Sequence, residues 1–172
     1  MLPRALRLLV LVVAGGLSSA VAGPAWAQDD ELEAMAAALK DTTFTLQDGL
    51  KAGVREGQPI SAQFEIDDGK LQISIYATKG DDFSEVVADP KTGAIVKTEK
   101  ITDTDELSDA ADQKAAIAKA KTSLAAAADA AVKENSGFRA VSIFPDLRDG
   151  HAIAEVTLLQ GTTAKKVTEK LD

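Results

Sequence analysis

The chain has 172 residues, a formal net charge of −8 and no cysteine. Such an acidic surface repels nucleic-acid phosphates and anionic lipid headgroups, so we expect no nucleic-acid partner. Without cysteine the chain forms no disulfide and carries no cysteine-linked lipid anchor, so burial of apolar side chains must hold the fold.

The first 27 residues have the features of a secretory signal peptide. Arg4 and Arg7 precede the apolar run Leu8–Val13, and Ala25-Trp26-Ala27 supplies the small residues that signal peptidase reads. Glycines, serines and Pro24 interrupt the apolar stretch, whereas a membrane anchor needs about 20 continuous apolar residues. We therefore predict cleavage after Ala27, a periplasmic location and no stable membrane insertion after cleavage.

Cleavage would change both the charge and the fluorescence of the protein. It removes two of the 19 basic residues and no acidic residue, so the net charge falls from −8 to −10. It also removes Trp26, the single tryptophan of the chain. The mature protein is then expected to show tyrosine fluorescence alone.

Along the mature chain, a helix is expected first at residues 30–40, where alanine is frequent. A second helix is predicted to begin at Thr45, because Asp48 three residues later completes a capping box. Its apolar stripe is Leu46, Leu50 and Val54. Strands should follow at residues 62–66, 70–78, 83–88 and 94–98, with a reverse turn at Asp89–Gly93 that carries proline and glycine at the favoured positions.

A similar pattern occurs again 78 to 81 residues later. Ser123 starts a helical stripe of Leu124, Ala128 and Val132, and the segment DGHAIAEVTLLQG (149–161) aligns without a gap to DGKLQISIYATKG (68–80). Both segments alternate apolar and polar residues after an Asp-Gly turn, which is typical of half-buried hairpin strands. Residues 105–135 lack proline and glycine and are expected to be helical almost throughout, with a bend near Thr122-Ser123.

These elements predict an α+β protein of two tandem helix-plus-antiparallel-meander units packed together, with alanine-rich helices, after a signal peptide. The expected boundaries are 1–27 for the signal peptide, 28–44 for an N-terminal helical segment, 45–101 for the first unit, and 102–172 for a long helix and a second, shorter unit. Isolated units of this size are marginally stable, so we expect the two to pack on each other.

Few residues could support catalysis or bind a metal. His151 is the single histidine and follows an Asp-Gly turn, where a solvated role is expected. Zinc is disfavoured because cysteine and paired histidines are lacking. The cluster Asp103–Asp109 begins like a calcium loop, but Leu107 and Ser108 stand where an oxygen ligand and a glycine are required, so N-capping by Thr104 or Asp105 explains it better. We predict no catalytic, cofactor-binding or metal-binding residue, and no enzyme activity.

Residues 45–100 contain the stretch Gly57–Ile60, an alternating strand after Asp-Gly, and the turn Val86–Gly93, which reads VVADPKTG. In these features the segment resembles a PepSY domain. Residues 117–172 are similar in their helix and Asp-Gly strand but lack the Asp-Pro-x-Thr-Gly turn. The resemblance implies an exported protein with a helix packed on an antiparallel sheet. Similar domains occur in propeptides of thermolysin-like metallopeptidases, and the family supplies no catalytic residue.

These observations favour a non-catalytic periplasmic module for binding or regulation, which restrains a peptidase or binds another envelope protein. Its binding surface is expected at a sheet edge or at the turns Asp89–Gly93 or Lys79–Asp82. Two alternatives are a carrier that holds a small apolar ligand between the sheet and the alanine-rich helices, and a structural envelope protein.

Overall fold

The computed structural model describes residues 25–172, with side chains from Asp30 onward. The predicted signal peptide thus lies outside the described residues except for its last three, which belong to the first helix. The described elements are, in chain order, α1 (Ala25–Leu39), α2 (Leu46–Gly53), β1 (Gln58–Asp67), β2 (Lys70–Lys79), β3 (Asp82–Ala88), β4 (Ile95–Lys100), α3 (Thr104–Lys119), α4 (Leu124–Glu134), β5 (Arg139–Arg148), β6 (His151–Gln160) and β7 (Thr163–Lys170).

All seven strands form one antiparallel sheet in the order β4-β3-β2-β1-β5-β6-β7. The prediction of two helix-plus-meander units is therefore wrong. β1 pairs with β5 through Ala62–Ile143 and Gln63–Ser142, so the strands on either side belong to one continuous, mostly β structure. The physical reason is that a separate unit would leave the backbone groups of β1 or β5 unpaired at an edge, and direct pairing satisfies them.

The two Asp-Gly turns have the predicted hairpin geometry. Asp68 and Gly69 have φ angles of 48° and 73°, and Asp149 and Gly150 have 53° and 82°. Two consecutive residues with positive φ match the right-handed twist of the flanking strands. Each turn joins two ten-residue strands, β1 to β2 and β5 to β6.

Helix α2 begins as predicted and packs very closely on the sheet. Thr45 caps it, and its side chain and that of Asp48 form the reciprocal capping box. Gly49 faces Ile73 of β2, and a Cβ atom added at Gly49 would lie 2.2 Å from the Ile73 Cδ1 atom. The lack of a side chain at Gly49 thus sets the distance between helix and sheet.

The predicted continuous helix over residues 105–135 is interrupted. α3 ends at Lys119, and the backbone N–H groups of Lys121 and Thr122 donate to the carbonyl oxygen of Leu171 at 2.6 and 2.8 Å. Ser123 then caps α4 by accepting a hydrogen bond from the backbone of Ala126. The expected bend is therefore a complete break, because these N–H groups bond to the end of the chain after β7 instead of continuing the helix.

The helices cover both faces of the sheet. The face that carries Ile75 packs on α1, α2 and α4, and contains the main apolar core. The neighbouring residue Tyr76 points to the opposite face, where Ile60, Phe83, Ile101 and Ala110 of α3 form a smaller cluster. Among residues 25–172, no helix is long and apolar enough to span a membrane.

Candidate functional site

The predicted binding turn Lys79–Asp82 is held by other parts of the chain. The Lys114 ammonium of α3 donates to the carbonyl oxygen of Gly80 at 2.6 Å and to the Asp81 carboxylate at 3.1 Å. The Lys100 ammonium of β4 bonds to Asp82 at 2.5 Å. This turn is exposed, but its conformation is fixed within the molecule.

The other predicted binding turn, Asp89–Gly93, lies at the opposite end of the sheet and is also fixed. The Asp89 carboxylate accepts hydrogen bonds from the backbone N–H groups of Lys91 and Thr92 at 2.7 and 3.1 Å, and these bonds lower its pKa. The Thr42 hydroxyl donates to the carbonyl oxygen of Pro90. The two turns are therefore separate, and the structure does not bring them together into one surface.

His151 and Asp103 also bond to other residues of the chain. The His151 ring nitrogen Nδ1 lies 2.7 Å from the Asp172 carboxylate, and this hydrogen bond lowers the pKa of Asp172. Asp103 caps α3 by accepting from the backbone of Asp105 and Glu106, so the cap lies one residue before the predicted position. Within the described part of the chain, no group of three or more histidine, cysteine, aspartate or glutamate residues is placed to hold a metal ion.

A group of polar side chains on the α3 face of the sheet is a better candidate for a binding site than either turn. We call Gln63, Glu65, Ser74, Tyr76 and Glu85 the polar patch. Gln63 pairs with Ser74 across β1 and β2, and Tyr76 pairs with Glu85 across β2 and β3. Strand alternation places all five on one face, because they are an even number of residues apart within each strand.

Two carboxylates in the polar patch flank one serine hydroxyl. The Ser74 hydroxyl donates to Glu65 at 2.6 Å, and Gln72 donates to the same carboxylate oxygen at 2.5 Å. Glu85 lies on the other side of Ser74, and burial raises its pKa. The negative charges of Glu65 and Glu106 raise it further, against the opposing effect of Ser74. Glu85 is therefore a carboxylate in surroundings that disfavour its charge.

Tyr76 and Gln63 form the floor of the polar patch. Burial raises the pKa of the Tyr76 hydroxyl far above its usual range, and the charge of Glu85 adds to this effect. Gln63 is 1% exposed, and its amide interacts with the Tyr76 hydroxyl, which opposes the rise in the Tyr76 pKa. By hydrogen-bond geometry neither amide atom has a partner among the described residues, so this contact is not a well-aligned hydrogen bond.

The charge around the polar patch is strongly negative. Glu99 of β4 and Glu106 of α3 lie close enough to act on Glu85, in addition to Glu65. The Lys97 ammonium forms an ion pair with the Glu99 carboxylate at 2.6 Å. For Glu85, no basic side chain of the described residues lies within ion-pair distance. Acceptor oxygens and uncompensated negative charge suit an ammonium or guanidinium group.

The polar patch has a signal in the sequence that does not by itself indicate a site. The residues Gln63, Glu65, Gln72 and Ser74 alternate with the apolar residues of β1 and β2. Polar residues at these positions are normal for a sheet face open to water. They become a candidate binding site because β3 places Glu85 beside them and α3 covers one end of the face.

Comparison with known proteins leaves the family of the chain open. No family model and no curated protein matches it. One similar solved structure is that of a "putative lipoprotein" from Clostridium difficile 630, with 17% identity, a TM-score of 0.34, and coverage of 69% of this chain and 87% of that one. A likeness this distant carries no argument about function. Membership of the PepSY family therefore stays a prediction.

Proposed function

We propose that the protein is a non-catalytic binding module of the periplasm, and that its polar patch holds a basic side chain of another envelope protein. The observation that carries this proposal is the position of Glu85, whose carboxylate is half-buried beside Glu65 and has no basic partner among the described residues. Perturbed ionisable groups that cluster in this way occur preferentially at functional sites.

The free energy of the patch favours a cationic ligand. Burial and repulsion between neighbouring carboxylates raise the free energy of the charged form of Glu85. A lysine or arginine side chain placed between Glu65 and Glu85 would offset both penalties and donate hydrogen bonds to the two carboxylates. A basic segment is also attracted over a longer range, because the whole chain carries a net charge of −8.

The cellular location is part of the proposal. It is supported by the N-terminal sequence, in which a basic start, an apolar run and the Ala25-Trp26-Ala27 pattern precede the acidic mature chain. N-terminal sequencing of protein recovered from the periplasm should give Gln28 as the first residue. Recovery with residues 1–27 still attached would contradict export by signal cleavage.

The chain offers a direct test for binding at the patch. Tyr76 is the only tyrosine of the chain and lies in the patch, and the proposed mature protein, which starts at Gln28, lacks Trp26, so its tyrosine fluorescence reports on the patch. We expect a short oligolysine peptide to change this fluorescence saturably at low ionic strength, and an oligoglutamate peptide to leave it unchanged. The effect should weaken at high salt, because charge attraction is screened.

Matched variants locate the binding. Glu85→Gln and Glu65→Gln should each reduce the affinity for oligolysine. Glu155→Gln removes the same charge from the same face of the sheet, but Glu155 is already paired with Arg148 and Lys166 at 2.9 and 3.6 Å. Equal loss of affinity in all three variants would mean non-specific attraction and would contradict the proposal. Regulation of a peptidase is tested separately, by adding wild-type protein and Glu85→Gln to periplasmic peptidase assays.

A further inference from the structure

The free edge of β7 carries a second inference, independent of the polar patch. β4 and β7 are the two edges of the described sheet. β4 has six residues, and its pairing with β3 is irregular at Val87 and Ala88. β7 has eight residues and pairs with β6 in unbroken register from Gln160–Thr163 to Ile153–Lys170. A long, regular edge strand can add another strand.

The register with β6 fixes which residues of β7 turn their backbone outward. Gln160 and Thr163 flank a two-residue turn, so they form a hydrogen-bonded pair. The backbone groups then alternate along β7 between β6 and the free edge. Residues at even positions face the free edge, and these are Ala164, Lys166, Thr168 and Lys170.

The side chains of β7 alternate in the same way between the two faces of the sheet. Lys165, Val167 and Glu169 are on the α4 face, where the Lys165 ammonium bonds to Asn135 at 2.5 Å. Val167 packs against the apolar core. The pKa of Glu169 is raised by burial and by the nearby charge of Glu134, and no basic side chain of the described residues forms an ion pair with it.

We propose that β7 pairs antiparallel with β7 of a second copy of this chain, centred on Val167, so that Lys165 of each copy lies opposite Glu169 of the other. Four outward-facing residues of each copy then pair with those of the other, Ala164 with Lys170 and Lys166 with Thr168. The pairing would extend the seven-stranded sheet continuously from one copy into the other.

The lysines on this edge select the register. A two-fold pairing centred on Lys165, Lys166 or Glu169 places two identical charges directly opposite each other. A pairing centred on Thr168 sets Lys166 against Lys170 twice. Like charges directly opposite are destabilising, whereas opposite charges stabilise a cross-strand pair. The register centred on Val167 is the one of these five that avoids such repulsion and gains two Lys–Glu pairs.

Single cysteines test this register in the full chain, which has no cysteine of its own. Val167 would lie opposite Val167 of the second copy in a non-hydrogen-bonded pair, where Cβ atoms approach as closely as a disulfide requires. We expect Val167→Cys to give a disulfide-linked dimer as the main product of mild oxidation. Thr168→Cys, one residue further along, and Thr98→Cys on the other edge should stay largely monomeric.

Charge exchange gives a second readout that does not depend on disulfide geometry. Lys165→Glu should weaken association in sedimentation velocity measurements, and Lys165→Glu combined with Glu169→Lys should restore it. Dimer formation at Thr168→Cys in preference to Val167→Cys, or no dimer with either variant and no concentration dependence in sedimentation, would overturn the proposal. Oligolysine binding at the polar patch would be unaffected by that result, so the two proposals fail separately.

Discussion

The guanidinium of Arg139 donates a hydrogen bond to the carbonyl oxygen of Thr42 at 2.9 Å and so joins the start of β5 to the loop between α1 and α2. The same group donates to the carbonyl oxygens of Leu39, at 2.8 Å, and Phe44, and lies 5.6 Å from the centre of the Phe64 ring. One side chain thereby donates hydrogen bonds to three carbonyl groups, one at the C-terminal end of α1 and two in the loop that follows it.

Arg139→Ala should therefore destabilise the protein substantially. Loss of charge-assisted hydrogen bonds to otherwise unpaired carbonyls predicts a reduction in the free energy of unfolding of about 2–4 kcal/mol. Urea unfolding followed by circular dichroism measures it. Arg148→Ala is the matched control, because its ion pair with Glu155 is exposed and should contribute about 0–1 kcal/mol. Similar losses in both variants would contradict the role of Arg139.

The contact between Gly49 and Ile73 predicts a coupling that can be measured. Gly49→Ala places a methyl group against the buried Ile73 Cδ1 atom, and overpacking of this kind costs about 1–3 kcal/mol. Ile73→Val removes Cδ1 at a cost of about 0.5–1.5 kcal/mol. We expect Gly49→Ala to be clearly less destabilising in the Ile73→Val background than in the wild type. Additive effects in a double-mutant cycle of urea unfolding would show that the helix adjusts elsewhere.

The two Asp-Gly turns should respond equally to substitution. A Cβ atom at Gly69 or Gly150 would meet no other atom within 4 Å, so the cost of alanine there is that of positive φ alone. That cost is about 1–2 kcal/mol for each site. Thermal unfolding of Gly69→Ala and Gly150→Ala measures it. The Lys119 ammonium donates to the carbonyl oxygen of Gly150 at 3.2 Å, so a clear difference between the two variants would mean that this hydrogen bond also responds to the substitution.

Local structure was predicted well because the signals for it are local. The capping box of Thr45 and Asp48, the Ser123 cap and both Asp-Gly turns depend on neighbours within a few residues, and the structure confirms each of them. The proline-containing turn at Asp89–Gly93 also forms as predicted, with the N–H of Gly93 donating to the carbonyl of Asp89.

The arrangement of the strands was not predicted, because it depends on a contact between residues about 80 positions apart. Nothing in the sequence near Ala62 or Ile143 indicates that β1 and β5 are neighbours, and that pairing makes the sheet continuous. The polar patch also depends on non-local contacts, although shorter ones: Glu85 lies beside Ser74, 11 residues earlier, and is affected by the charge of Glu106, 21 residues later. The break after α3 has the same origin, in the hydrogen bonds of Lys121 and Thr122 to Leu171.

The dependence of stability on pH should have opposite signs at Glu85 and Asp48. The pKa of Glu85 is raised by burial, so the folded state binds its proton more tightly than the unfolded state does. The free-energy cost of holding a charged Glu85 in the folded protein is absent below the unfolded pKa of about 4.3. This cost grows as the pH rises through the pKa of Glu85 in the folded state. Glu85→Gln should therefore be more stable than the wild type at pH 7 and equal to it at pH 3.

Asp48 provides the comparison, because its pKa is lowered, mainly by the hydrogen bond from the Thr45 side chain. Its contribution is present above the unfolded pKa of about 3.9 and is lost as the pH falls through the folded value. Asp48→Asn should be less stable than the wild type at pH 7, and this deficit should shrink in acid. Urea unfolding midpoints at several pH values measure both effects, with Glu33→Gln as a charge-matched control on the exposed surface of α1. If Glu85→Gln were no more stable than the wild type at pH 7, the carboxylate of Glu85 would already be compensated within the molecule, and the polar patch would have no need of a cationic partner.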